Sequence, residues 1–511
     1  MVKKMYNRSA KGIDSSTWDG LMQDTTVEEL ETMIKSAEGQ KAPGYDGVTI
    51  DLIKLLIEEP GPLRELLTTL INVAFRTGAS LPSWRKAVIT MIPKKKEDGK
   101  WTDKVRDMRP ISVLQEFGKM ASKILATRIG DRILATPSVL NSAQRAFLKD
   151  GCIQQCINTA LNVFEDFKDK KTKGKQLFTI SYDQEKAYDS VQAYTIRASL
   201  ERFNMPENFI QFVLSGLDQA TSCFKTFYGL TEDFKVETSV RQGDPLSPLI
   251  YILVVDALHE GWRDNPLYSR RTGYRFSNNK TLRISSTGYA DDAMIYAENW
   301  GDIWAMNQWT REFCRTHGFK ISPKTKYFIS DYKGPGDPRW LPTVEGGGKF
   351  FPQDPNTEFR YLGVYISLNL TSTTHIDYIT KTIHTWRWKA ITEKVDPAQL
   401  TTTVTELLLP KLELGLLYAY GITERMCNKW TNTIIQTIVQ DAHMGKMTTT
   451  LLPKSAFSSL TGIPHLWERL KTLRITEFYV AINSKNCSNG SSTVARLCAL
   501  KKKRPTNYRL S

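Results

Sequence analysis

The stretch from Gln176 to Asn299 constrains the fold more than any other part of the chain. LFTISYD (177–183) alternates apolar and polar residues as a strand, and KAYDSVQAYTIRASLERF (186–203) follows with helical spacing, so a strand–helix unit begins here. SCFKTFYG (222–229) and DFKVETSV (233–240) read as a second strand pair. After RQGD, the residues Leu246, Leu249, Ile250, Leu253, Val254, Ala257 and Leu258 share one helical face. TLRISSTGYADDAMIYAEN (281–299) reads as two short strands around a turn, and DIWAMNQWTREFCRTHG (302–318) as a further helix. Strands and helices in this mixture predict an α+β sheet with helices on one face.

The whole chain has 511 residues, more than one hydrophobic core usually serves, so two or more packed subdomains are expected. Residues 1–40 are polar and mixed, with a helical pattern near Val27–Ile34. KAPGYDGVT (41–49) then supplies Pro and Gly punctuation before an amphipathic helix beginning with Leu52, Ile53, Leu55 and Leu56. WRKAVITMIPKKKEDGKW (84–101) reads as a strand, a basic turn and a return, and KDKKTKGK (168–175) as a second exposed basic loop. Residues 331–358, with KGPGDPRW and EGGGKFFPQDP, predict an inserted loop or irregular hairpin. From His375 the pattern is nearly all helical and ends in the basic tail KKKRP (501–505), a separate helical subdomain.

Lys and Arg number 69 against 54 Asp and Glu, a net charge of +15 that points toward a polyanionic partner such as nucleic acid. Seven cysteines, odd in number, do not suggest a disulfide framework, and Cys152 and Cys156 lack the further ligands of a zinc site. The N-terminus has no apolar run behind its lysines, and no stretch is apolar for the roughly 18 residues a membrane span needs. An intracellular, soluble chain working without a membrane is the expectation.

Three carboxylates carry the chemistry. Asp183 closes the strand LFTISYD, and Asp291 and Asp292 lie at the tip of the YADD turn. Nucleotidyl transfer uses two divalent ions roughly 3.5–4 Å apart, and hard ions of that kind require oxygen ligands converging from separate elements. Two adjacent aspartates in a hairpin are, by themselves, ordinary turn chemistry.

The ordered series DQEKAYDSV (183–191), RQGDPLSP (241–248), YADD (289–292), GFKISPKTK (318–326) and FRYLGV (359–364) resembles the consecutive palm motifs of reverse transcriptases. KAPGYDGV (41–48), LPSWRKAVITMIPKK (81–95), MRPIS (108–112) and NSAQRAF (141–147) resemble the fingers blocks of the non-LTR (LINE-type) retrotransposon branch. The resemblance runs unbroken from Lys41 to Ile366. It implies a right-hand polymerase: an N-terminal extension (1–40), fingers (41–175), a palm with an antiparallel sheet (176–366, with 331–358 as an inserted loop), and a helical thumb with a basic C-terminal region (367–511).

The implied activity is RNA-directed DNA synthesis, with an RNA template, a DNA primer, the RNA–DNA hybrid and dNTPs as partners and a nuclear place of work. Asp183, Asp291 and Asp292 would hold two Mg2+ ions, with Mn2+ as an alternative. Tyr188 matches the aromatic gate that excludes a ribose 2′-oxygen, while Asp189 would sit on the following helix as a structural residue. Gln242 and Gly243 would touch the incoming nucleotide or template, Gly243 by leaving room at the backbone, with Asp244–Pro245 reading as a helix cap and first helical residue. Arg109 and one of Lys94, Lys95 and Lys96, with Lys95 the choice, would grip the triphosphate. In GFKISPKTK the spacing departs from the family by one residue, so Lys324 is the candidate to protonate pyrophosphate, with Lys326 its rival. Tyr361, Leu362 and Gly363 would form the primer grip. Lys381, Arg387 and Lys389, among Trp386 and Trp388, would lie along the hybrid. Full elements of this family usually carry an endonuclease, of which no block is visible, so an excised region or a fragment of a longer reading frame is expected. The competing readings are an inactivated polymerase serving as an RNA-binding scaffold and an RNA-dependent RNA polymerase; YADD with Tyr188 fits the reverse-transcriptase pattern better.

Overall fold

A computed structural model describes residues 5–6, 12–58, 61–95, 100–169, 176–236, 240–277, 279–440, 458–459, 461–483 and 493. Lys96, most of the basic loop 168–175 and the tail 501–505 lie outside the described residues.

Nine strands organise the part of the chain that matters here: β1 Lys86–Ile92, β2 Arg109–Leu114, β3 Phe178–Tyr182, β4 Thr221–Thr226, β5 Ser286–Tyr289, β6 Asp292–Ala297, β7 Lys326–Ile329, β8 Phe359–Tyr361 and β9 Val364–Ile366. A four-stranded antiparallel sheet runs β5-β6-β3-β7, with Tyr182 opposite Ala293, Ile180 opposite both Ile295 and Tyr327, and Tyr289 opposite Asp292. A second sheet joins β1 antiparallel to β2 and parallel to β4, which in turn pairs with Phe234–Lys235.

The helices used below are α1 Val27–Ser36, α2 Glu116–Ala135, α3 Ile153–Asp169, α4 Ala193–Arg202, α5 Ser247–Arg263, α6 Trp300–His317, α7 Thr373–Thr392, α8 Leu409–Tyr418, α9 Glu424–Gln440 and α10 Leu466–Asn483. Strand alternation sends neighbouring side chains to opposite faces. Ile180, Tyr182, Ala293, Ile295 and Tyr327 therefore enter one core together with α4, α5 and α6. Thr179, Met294, Tyr296 and Phe328 turn to the other side, where Ile157 and Phe164 of α3 and the β8–β9 hairpin cover them. Helices on one face only was the expectation, and it is corrected: the alternating strands carry apolar residues at both parities, so both faces need cover. A third core is built by α7 through α10, with Ile379, Ile383, Leu412, Trp430 and Leu470 inside it.

The helix α5 is buried almost all round, which is why its sequence holds so long an apolar run. Three of its buried polar residues, Asp256, His259 and Glu260, have side-chain hydrogen-bond partners outside the helix. Asp256 accepts from Arg202 Nη1 of α4 at 2.7 Å and from the Asn141 amide at 2.6 Å, Glu260 Oε1 accepts from Asn141 Nδ2 at 3.0 Å, and His259 Nδ1 meets Ser286 Oγ at 2.9 Å.

Local boundaries also differ from the sequence pattern. The helix expected from Lys186 begins only at Ala193, because residues 186–190 form a turn with Lys186 at φ 46°. Asp189 is thus on that turn and not on the helix. Asp244–Pro245 is not the cap of α5 either. Asp244 Oδ1 accepts from the Leu246 amide at 2.9 Å, closing a tight turn, and the helix starts at Ser247 with Pro248 in its first turn.

The Arg202–Asp256 pair is almost fully buried, at 1 % and 0 % side-chain exposure. Removing one partner strands the other charge, so Arg202→Ala is expected to lower unfolding stability by about 3–5 kcal/mol, measured by urea titration. A loss below ~1 kcal/mol would mean that water reaches Asp256.

Candidate active site

The sheet register brings the acidic residues together. Asp183 follows β3 directly, and one step beyond the Tyr182–Ala293 pair it falls opposite Asp292, on the face that Ser181 and Met294 share. Asp291 occupies the two-residue turn between β5 and β6, where Ala290 adopts φ 57°. The backbone of Asp183 is pinned by the loop before β7: its amide donates to Thr325 Oγ1 at 3.1 Å, and its carbonyl accepts from the Ser322 amide at 2.7 Å.

Each carboxylate of the turn feels the others. Burial pushes Asp292 up to about 7, the charges of Asp291 and Asp183 add to it, and Arg360 opposes it. Asp291 is raised too, first by burial and then by Asp183, against its own backbone amide and the charges of Lys94 and Arg109. Among the described residues no three His, Cys, Asp or Glu side chains stand close enough to cage a metal ion as they are. The trio is an open set of like charges. Its chemistry nonetheless suits a hard divalent cation: all donors are carboxylate oxygens at adjoining strand ends, and a cation would offset the burial and the mutual repulsion that together raise Asp291 and Asp292.

Tyr188 lies half-buried on the 186–190 turn, its ring stacked on Tyr251 at 5.0 Å between centroids and 12° between planes. Tyr251 donates to Gln184 Oε1 at 2.8 Å, so the stack is fixed from below. The Tyr188 hydroxyl is raised by burial and then by the charge of Asp291, which places it within electrostatic reach of that carboxylate. Asp189 is raised chiefly by burial, against Lys186, Gln242 and Lys94.

Gly243 has a reason of its own for lacking a side chain. At φ 132° its Cβ would fall 2.2 Å from the Ser112 carbonyl oxygen, while the Gln242 carbonyl accepts from the Ser112 amide at 2.7 Å. The crowding at that position comes from β2. Arg109, the first residue of β2, is exposed, and it and Lys94 are the cations whose charge reaches Asp291. Lys95 is exposed, and its backbone forms an isolated antiparallel bridge with that of Trp101.

Lys324 is exposed in the turn whose amide meets Ser322 Oγ at 3.2 Å, and Lys326 begins β7 opposite Ser181. The β8–β9 hairpin turns at Leu362 (φ 48°) and Gly363 (φ 89°). Tyr361 is buried, and its hydroxyl meets Thr287 Oγ1 of β5 at 3.0 Å, so it ties this hairpin to the acidic one. The outward residue of β8 is Arg360. Sequence reasoning passed over Arg360, Thr325 and Tyr251. Of these only Arg360 had a signal, its alternate position between the inward Phe359 and Tyr361.

The family model described as reverse transcriptase (RNA-dependent DNA polymerase) matches residues 92–366, more than half of the chain. The chain belongs to the reverse transcriptase family. Its sheet of acidic strand ends, covered by helices, is the α+β right-hand polymerase fold of that family. Among its relatives is the retrovirus-related Pol polyprotein from the type-1 retrotransposable element R2 of Popillia japonica, 24 % identical over 396 residues, covering 76 % of this chain and 51 % of the relative. The corresponding polyprotein from the type-2 element R2DM of Drosophila melanogaster is 27 % identical over 361 residues, covering 68 % and 30 %. These relatives place the reverse transcriptase in the non-LTR branch. It spans about half the length of the first relative and less of the second. A solved apo telomerase from Candida Tropicalis, truncated from its C-terminal domain, aligns at a TM-score of 0.38 and 14 % identity over 57 % of this chain and 55 % of that one. Among the described residues no helix is long and apolar enough to cross a membrane.

The raised Asp292 gives a signed expectation for pH. A carboxyl whose folded pKa lies above its unfolded one destabilises the fold increasingly as pH rises from the unfolded value toward about 7, and fully above it. Asp292→Asn is therefore expected to raise the unfolding midpoint of the metal-free protein at pH 8 by about 1 °C, the equivalent of ~1 kcal/mol after allowance for solvent screening. The gain should shrink toward pH 5, where the wild-type carboxyl is protonated. Calorimetry at the two pH values decides it, and equal midpoints at pH 8 would contradict the raised Asp292 carboxyl.

Proposed function

We propose that this reverse transcriptase extends a DNA primer on an RNA template by two-metal nucleotidyl transfer at Asp183, Asp291 and Asp292, as part of a non-LTR retrotransposon acting in the nucleus. The observation that carries the proposal is the meeting of these three mutually repelling carboxylates at adjoining strand ends, with Lys94, Arg109 and Arg360 facing them. In this reading, residues 41–175 are the fingers, 176–366 the palm with 331–358 inserted, and 367–511 the thumb and basic region, after an N-terminal extension of residues 1–40.

Two Mg2+ ions, or Mn2+, bound to the trio would supply the charge that activates the primer 3′-oxygen and offsets the charge on the triphosphate. The protein's own residues do the rest. Arg109 and Lys94 bind the triphosphate from the end of the β1–β2 sheet, with Lys95 at its exposed edge. Tyr188, stacked on Tyr251, sits rigidly enough to reject a 2′-hydroxyl, and Gln242 and Gly243 border the nucleotide site where they join β2. Lys324 is the proton donor to pyrophosphate, with Lys326 as the alternative. Tyr361, Leu362 and Gly363 shape the hairpin that grips the primer end, and Arg360 on that hairpin faces its phosphate. Along α7 the exposed Lys381, Lys389 and Trp388 border the hybrid duplex.

Primer extension by the purified protein tests the proposal. Asp291→Asn keeps the shape of the turn and removes one charge, so extension with dNTPs is expected to fall by roughly a thousandfold or more, the equivalent of about 4 kcal/mol. Retained extension would refute the assignment. Tyr188→Ala is expected to admit ribonucleotides on the same primed RNA template, and an unchanged sugar preference would remove the gate from the reading.

A further inference from the structure

The turn that carries Asp291 is not held by its own hairpin alone. Two-residue hairpin turns with a left-handed first position favour Asn or Gly there, and Ala290 has a Cβ that disfavours φ 57°. The Gln144 side chain, with the residue 0 % exposed, meets both backbone groups of that alanine. Its Oε1 accepts from the Ala290 amide at 3.0 Å, and its Nε2 donates to the Ala290 carbonyl at 3.3 Å. The same Oε1 accepts from the Arg145 and Ala146 amides at 3.1 Å each, which fixes the direction of the side chain.

The segment bearing Gln144 is itself anchored on both sides. Its backbone forms a short parallel bridge along β5: the Arg145 amide donates to the Gly288 carbonyl, and the Gly288 amide donates to the Ala143 carbonyl, both at 2.9 Å. At its base, Asn141 is bound by Asp256 and Glu260 of α5, and Asp256 is bound in turn by Arg202 of α4. Buried partners thus run without a break from α4 through α5 to the catalytic turn.

We propose that Gln144 is a positioning residue for the reaction, clasping the Ala290 backbone so that the turn presents Asp291 and Asp292 already aimed at the metal site. The inference rests on the polymerase reading above. An amide suits the task because it offers one acceptor and one donor in a plane, matching the N–H and C=O of a single residue. It also brings no charge to a place where three carboxylates already repel. Methionine offers neither group, and an ionised glutamate offers only acceptors and adds a fourth negative charge.

The test compares Gln144→Met with wild type by single-nucleotide extension, by Mn2+ binding to the substrate-free protein measured by electron paramagnetic resonance, and by thermal unfolding. Gln144 contacts no substrate in this arrangement, so kcat per folded molecule is expected to fall about tenfold to a hundredfold, with KM for dNTP within about twofold. Mn2+ binding should weaken in parallel. Adding Ala290→Gly to Gln144→Met should recover part of both losses, because glycine takes the left-handed turn without a clasp. If Gln144→Met does not fold, Gln144→Glu keeps the acceptor shared by the backbone amides while losing the donor to Ala290, and the same readouts apply. Activity lost only in proportion to the folded fraction, with Mn2+ affinity unchanged, overturns the proposal. Asp291→Asn run alongside separates the two levels: its full activity would sink the polymerase reading, whereas its inactivity beside an unimpaired Gln144→Met would sink the positioning role alone.

Discussion

The structure depends on the register between β3 and β6. Because Tyr182 lies opposite Ala293, the next step outward sets Asp183 against Asp292 on one face of the sheet. A slip of a single residue would turn every side chain of one strand to the other face and part the acids. Apolar burial on both sides makes that slip costly: Ile180 and Ile295 are committed to the α4–α6 core, Tyr296 and Phe328 to the α3 side. The acidic cluster is therefore placed by hydrophobic packing, although it repels itself.

Around this register the chain spends polar groups in two different ways. Deep in the molecule they are paired, as with Arg202 and Asp256 or Tyr361 and Thr287, and they hold one element against another. At the rim of the sheet they are left in tension, with Asp292 pushed up to about 7 and Tyr188 raised beside Asp291. Groups satisfied inside and opposed at the edge are the arrangement by which a rigid fold keeps a charged site preorganised for a charged ligand.

Much of this was legible along the chain. The strands ending at Tyr182 and Tyr289 and the long apolar helix after RQGD follow from periodicity and turn residues, and the FRYLGV hairpin follows from the family resemblance. The misreadings were local or spatial. Lys186–Ser190 was read as helix because its composition permits one, yet the stacking of Tyr188 on Tyr251 goes with a turn that ends before Ala193. Gly243 was read only for the approach of a nucleotide, and the close Ser112 carbonyl of β2 gives a further reason for the missing side chain. Three consecutive lysines were equivalent as sequence, and only the path of the turn brings the charge of Lys94 to bear on Asp291.

The sequence by itself determined which residue types lie at each strand end and turn, and with them the family and the three acids. Alternation and helical spacing are local properties, written into neighbouring residues by backbone geometry. What only the tertiary structure decided is how those acids are held and felt: the clasp of Ala290 by Gln144, the pinning of Asp183 by Thr325, the approach of Arg360 to Asp292, and the cover on the second face of the sheet. Burial and charge coupling depend on distances between segments far apart along the chain, and no local pattern encodes such distances.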